Sequence, residues 1–261
     1  MFLLSFDIEE FDMPFEYGKT IAFEEQITIS VNGTHTILDL LKKHHFKATF
    51  FSTVIFAENA PAVIARIKAE GHELASHSYF HSKFEPADLL TSKQKLEQLF
   101  GAPIYGFRMP RMMPVDEKII AAAGYSYNSS INPTWLPGRY NNLSVKRTYF
   151  KKEGVLQLPA SVSPGLRIPL FWLSFHNFPQ WFYQLLIEQT YKKDKYINVY
   201  FHPWEFTDLN QKEKYAFPDY VSKNSGQEMI DRMDKFLSWI NAKGYPNGTI
   251  HQFIQQIDVK V

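Results

Sequence analysis

His77 and His81 stand four residues apart in Gly71-His72-Glu73-Leu74-Ala75-Ser76-His77-Ser78-Tyr79-Phe80-His81. Each neutral imidazole can offer one ring nitrogen to a divalent ion at about 2.0–2.1 Å. On a solvated helix the same spacing usually does nothing. Here the pair follows a short apolar run, Glu73-Leu74-Ala75, entered through Gly71, so it is expected just past the carboxyl end of a strand. In α/β proteins that edge is where ligands and chemistry gather. Asp7, Arg108 and His202 are each expected at a strand's carboxyl end as well. Singly, such an Asp caps the next segment, such an Arg closes a surface ion pair, and such a His hydrogen-bonds in the core. Together at one rim they form the constellation that a barrel active site needs. A carboxylate within reach of His77 and His81 would complete three ligands with positions left open for substrate.

The elements that must hold these residues read as alternating strands and helices. Strands are expected over residues 2–7, 47–53, 104–108, 125–129, 155–158 and 196–202. Helices are expected over 34–45, 59–70, 86–100, 114–123, 179–191, 222–243 and 249–256. The pattern is clearest in 222–243, where Met229, Ile230, Met233, Phe236, Leu237 and Ile240 share one face and Gly244 stops the helix. Residues 8–33, acidic and aromatic, read as an elaborated loop beside the site, and 133–142 carry turn chemistry. Residues 164–175 are apolar but interrupted by Arg167 and Pro169. They are expected to form a mobile cover or docking surface, with peripheral membrane contact through 164–175, rather than a core strand. The alternation implies parallel βαβ units in a single domain over residues 1–261.

Composition narrows the partners. Lys plus Arg number 28 against 27 Asp plus Glu, so no basic surface calls for nucleic acid. The chain has no cysteine, which excludes a disulfide, a thiolate nucleophile and a zinc–sulfur site. The opening Met1-Phe2-Leu3-Leu4-Ser5-Phe6-Asp7 lacks the basic, apolar and small-residue regions of a signal peptide. With Met1 as the native start, a cytoplasmic location is expected.

Five segments occur in order. They are Ser5-Phe6-Asp7-Ile8-Glu9-Glu10, Lys47-Ala48-Thr49-Phe50-Phe51, and Gly71-His72-Glu73 leading into His77-Ser78-x-x-His81. Gly106-Phe107-Arg108-Met109-Pro110 and Tyr200-Phe201-His202-Pro203-Trp204-Glu205 follow. In these segments the chain resembles the polysaccharide deacetylases of the NodB-homology type (carbohydrate esterase family 4), nearest the branch whose first motif reads Phe-Asp-x-Glu-Asp. The resemblance implies an α/β fold, a distorted and incomplete (β/α)7-type barrel. It also implies metal-dependent N-deacetylation of an N-acetylated sugar or a nucleotide-linked or lipid-linked glycan precursor. By the same resemblance Asp7 is the general base, Arg108 pairs with that base, and His202 is the general acid that protonates the leaving amine. His77, His81 and an acidic residue would hold a divalent ion, zinc, with cobalt or nickel also fitting. Pro110, Trp135 and Trp204 are expected substrate contacts. The other histidines, His35, His44, His45, His72, His176 and His251, lie outside the motifs and are expected to do no chemistry.

Two positions depart from the family pattern. Ile8 stands where the usual motif has a second Asp, and it cannot ligate, so Glu9 or Glu10 must supply the third ligand. Successive residues of an extended run face opposite ways, so Glu9 should share the side of Asp7 and is favoured. In Tyr127-Asn128-Ser129-Ser130 an amide stands where an acid is usual, leaving the carboxylate partner of His202 unassigned. Two other readings remain: a cyclic-amide (allantoinase-like) C–N hydrolase, and a non-catalytic glycan-binding relative, which Ile8 and Asn128 favour.

Overall fold

A computed structural model describes residues 1–258 of the chain. In chain order β1 (Phe2–Ile8) leads to α1 (Phe23–Lys43), β2 (Thr49–Ser52), α2 (Val54–Asn59), α3 (Pro61–Ala69) and β3 (Glu73–Ser76). Then come α4 (Asp88–Phe100), β4 (Gly106–Phe107), α5 (Glu117–Ala122) and β5 (Tyr127–Asn128). A small hairpin, β6 (Trp135–Leu136) and β7 (Tyr140–Asn141), precedes β8 (Phe150–Lys152) and β9 (Val155–Gln157). The chain continues through α6 (Trp172–Asn177), α7 (Gln180–Asp194) and β10 (Ile197–Phe201). It ends with α8 (Lys212–Tyr215), α9 (Asp219–Ser222), α10 (Gln227–Ala242), β11 (Asn247–Gly248) and α11 (Ile250–Asp258).

Among the described residues the main sheet runs β10-β1-β2-β3-β4-β5-β9-β8, with β11 also paired to β1. From β10 to β9 every pairing is parallel, and only β8 runs antiparallel at the edge. Those seven parallel strands are the incomplete barrel that the family resemblance implies. All of β1, β2 and β10 is buried, as expected for parallel strands covered on both faces. Asn198 bridges the gap between the β9 side and β10. Its side-chain amide donates to the Leu158 and Pro159 carbonyls, and its own carbonyl accepts from Ser161 N at 2.8 Å. Close packing also explains a glycine: a Cβ on Gly106 would fall 1.9 Å from the Tyr127 ring.

Two expectations change, and one short helix is added. The stretch 8–33 is not all loop, because α1 begins at Phe23, with Glu24 and Glu25 in the first turn where the helix dipole favours negative charge. Its buried face there mixes Gln26, Ser30, Gly33 and Thr34 with Ile27 and Ile29, which interrupts the apolar period. That face packs on the turn Pro203–Phe206, where a Cβ on Gly33 would meet Pro203 O at 2.0 Å. The helix expected over 59–70 is α3, opened by Pro61, and a separate short helix, α2, capped by Thr53, precedes it. Residues 164–175 do not form an apolar docking face. Leu170, Phe171 and Phe175 are buried and α6 starts at Trp172, leaving Leu166 as the exposed apolar side chain. Arg167 turns inward and donates to the Pro133 and Val145 carbonyls, which anchors the segment.

Candidate active site

Asp7, His77, Arg108 and His202 meet at one end of the barrel. Asp7 and Ile8 lie at the end of β1, paired in register with Phe51 and Ser52. Arg108 follows β4, and its guanidinium is held between rings, 4.0 Å from the Phe51 centroid and 5.0 Å from that of Tyr200. Arg108 Nη1 donates to Asp7 Oδ1, while Nη2 donates to Ser5 Oγ at 2.9 Å and Ser129 Oγ at 3.1 Å. Burial, the largest influence on Asp7, pushes its carboxyl up. The positive charge and hydrogen bond of Arg108, with smaller contributions from His77 and His202, outweigh it and hold Asp7 below the ordinary carboxylate range.

The histidine loop leaves β3 and is tied to the start of α2, where Val54 N and Ile55 N donate to the Ser78 and Tyr79 carbonyls. Ser78 turns the chain between the two imidazoles in a left-handed conformation, φ 69°, the kind of strained backbone that concentrates at functional sites. His77 Nδ1 faces the Arg108 carbonyl at 2.9 Å, and His81 Nδ1 faces Asp12 Oδ1 at 2.6 Å. Both Nδ1 atoms therefore carry the proton, and both Nε2 atoms are aimed at Glu9. Glu9 Oε2 lies 3.0 Å from His77 Nε2 and 3.3 Å from His81 Nε2, is buried, and accepts no hydrogen bond among the described residues. Ligand atoms of Glu9, His77 and His81 all fall within 4.8 Å of one another. A bare carboxylate oxygen facing two imidazole nitrogens is costly in the interior unless a cation satisfies it, and these donors suit a divalent ion. The residues present fit the metal that the sequence implies.

Glu10 serves a different purpose. It accepts from His81 N and Thr53 Oγ1, each at 2.8 Å, and so ties the histidine loop to β2. Between the two acids, the alternation along β1 sends Glu9 to the ligand side. Asp12, outside the expected site, orients His81.

His202 sits opposite the histidine loop, with Nε2 4.0 Å from Asp7 Oδ2. Its missing carboxylate partner is Glu205, three residues on, whose Oε1 accepts from His202 N at 2.6 Å and faces His202 Nδ1 at 3.0 Å. Asn128 plays no such part: its amide donates to Gln157 and its oxygen accepts from Ser130. Burial pulls His202 down. The Glu205 hydrogen bond, with the charges of Glu205, Glu9 and Asp7, raises it above the ordinary imidazole value.

These groups line a cavity of about 340 Å³ walled by Tyr200, Trp172, Trp204, Phe171 and Tyr140. At its mouth Glu16 pairs with Arg111 at 3.2 Å and with Arg139 at 3.4 Å. Trp204 is at the cavity wall, stacked on His202 with ring centroids 4.7 Å apart. Trp135 is not. It stands 59% exposed on the hairpin and is not among the cavity's lining residues, because the alternation of β6 turns Leu136 inward instead. Pro110 is buried and opens the turn after Arg108 without lining the cavity.

Residues 15–127 match the family model described as polysaccharide deacetylase. Over 59 residues the chain is 42% identical to a chitooligosaccharide deacetylase of Bradyrhizobium sp. (strain ANU 289), a stretch covering 22% of this chain and 27% of that relative. In fold it is similar to a probable polysaccharide deacetylase from Pseudomonas aeruginosa PAO1, with TM-score 0.61, 14% identity, and coverage of 92% of this chain and 85% of the other. It is also similar to BA3943, a CE4 family pseudoenzyme from Bacillus anthracis, with TM-score 0.54, 13% identity, and coverage of 97% and 64%. The family resemblance is thus supported in sequence over residues 15–127, and the likeness in fold extends over most of the chain.

Proposed function

We propose that this chain, a relative of the polysaccharide deacetylases, hydrolyses the acetamide of an N-acetylated glycan. The observation that carries the reading is Glu9 Oε2, buried between two imidazole Nε2 atoms beside the Asp7–Arg108 pair and across the cavity from His202. Glu9, His77 and His81 would hold a divalent ion, zinc or a similar borderline cation. When bound, such an ion supplies charge that polarises an acyl oxygen and favours ionisation of water.

The chain's own groups divide the proton transfers. Asp7, kept ionised by Arg108, accepts a proton from the attacking water as its oxygen bonds to the acyl carbon. His202 Nε2 gives a proton to the amine nitrogen as the C–N bond breaks, so acetate and a free amine leave. Arg108 never meets substrate; fully buried, it fixes the Asp7 carboxylate. Trp172 and Trp204 offer apolar ring faces beside a sugar-sized space.

The test is acetate release from N-acetylated glucosamine oligomers and peptidoglycan fragments by protein loaded with zinc, cobalt or nickel. A folded, loaded protein that releases none would overturn the reading in favour of glycan binding without turnover. Ile8 removes one acid from the usual motif, but Glu9 occupies the position an acid must fill, which favours catalysis over binding alone. Ring opening of a cyclic amide without acetate release would instead assign the cyclic-amide alternative.

A further inference from the structure

Glu205 is fully buried, and a carboxylate persists there only with donors on both oxygens. Its Oε1 is held by His202, and its Oε2 faces His176 Nε2 at 2.9 Å. His176, on the last turn of α6, is 1% exposed, and its Nδ1 is buried with no hydrogen-bond partner among the described residues. A proton on that Nδ1 would be a buried donor with nothing to accept it, which costs more than a bare lone pair. His176 therefore presents an Nε2–H to Glu205. The negative charge of Glu205 is then answered by His202, whose Nδ1–H points at the carboxylate and whose Nε2 points into the cavity.

Packing fixes both rings. Trp172 presents an edge-on contact to each imidazole, 5.8 Å from His176 and 5.5 Å from His202, and Trp204 lies flat on His202. The His176 carbonyl accepts from Asn224, which ties this end of α6 to the segment before α10.

We propose that Glu205 and His176 are a buried positioning pair for His202. His176 holds the carboxylate in the rotamer that presents Oε1 to His202 Nδ1, so the transferable proton stands on Nε2 in the cavity. The pair rests on the reading of His202 as proton donor, and it replaces the partner that Asn128 cannot provide.

Two measurements test it. Side-chain nitrogen NMR of the wild-type protein should show His176 as the Nε2–H tautomer and His202 with a slowly exchanging Nδ1 proton. This readout needs neither a variant nor an active substrate. In turnover of an N-acetylated glucosamine oligomer, His176→Leu should lower kcat by about tenfold or more, part of the ~10²–10⁴ that positioned proton transfer supplies. KM and metal content should stay the same, and His176→Gln, whose amide can stand in for Nε2–H, should restore most of the rate. A wild-type protein inactive on all glycans sinks the proposed function but leaves the NMR result to decide the pair. An Nδ1–H tautomer at His176, or a His176→Leu rate within about twofold of wild type, would overturn the proposal.

Discussion

Arg108 Nη1 and Asp7 Oδ1 meet at 2.5 Å in the barrel interior, with the guanidinium wholly out of water. Two charges removed from solvent are stable only as a pair, and losing one partner leaves the other unpaired at a cost of about 3–5 kcal/mol. Arg108→Met should lower unfolding free energy by that amount in denaturant titration. It should also move the acidic limb of the pH–rate profile upward, because the charge holding Asp7 ionised is gone.

The assignment of Glu9 over Glu10 makes a metal prediction. Glu9→Gln should bind a divalent ion far more weakly, since an amide oxygen is neutral, whereas Glu10→Gln should keep stoichiometric metal. Elemental analysis of protein purified without chelators reads both. Full occupancy in Glu9→Gln would remove Glu9 from the ligand set.

His202→Ala should cost about 10²–10⁴ in turnover with metal content unchanged. If His202 merely packed on Trp204, the change would reduce stability while leaving the rate per folded molecule near wild type.

The charged groups predict a bell-shaped pH profile. Asp7 must be ionised and is held below the usual carboxylate range by Arg108, so activity should persist into mildly acidic solution. His202 must be protonated and is held above the usual imidazole value, chiefly by Glu205 against its burial, so the alkaline limb should lie above pH ~6.5. Glu205→Gln removes that charge and should move the alkaline limb down. The sign for stability is the same: a raised His202 stabilises fully below its unfolded value and loses that contribution as pH rises through its folded one. An alkaline limb unmoved by Glu205→Gln would detach it from His202.

Trp135→Ala should leave KM for a glycan unchanged, since the ring stands in solvent, while Trp172→Ala should raise KM and lower kcat by loosening His202. Steady-state kinetics on the two variants separates an exposed aromatic from a cavity wall.

Much of this site was legible along the chain. His77, His81, Asp7, Arg108 and His202 each end or follow a β-compatible run, and parallel strands bring their carboxyl ends to one rim whatever the details of packing. Alternation along β1 was enough to prefer Glu9 to Glu10, because an extended backbone gives no other choice. The helical period stopped short of the first half of α1, where Gln26, Ser30, Gly33 and Thr34 share the buried side with Ile27 and Ile29 and interrupt the apolar stripe. Aromatic type did not distinguish Trp135 from Trp172, because which ring faces the cavity depends on how a hairpin and α6 dock. The contact of His176 with Glu205 was beyond reach for a similar reason. The two residues are 29 positions apart, and only the packing of α6 against the turn after β10 removes both from water and makes each the other's hydrogen-bond partner.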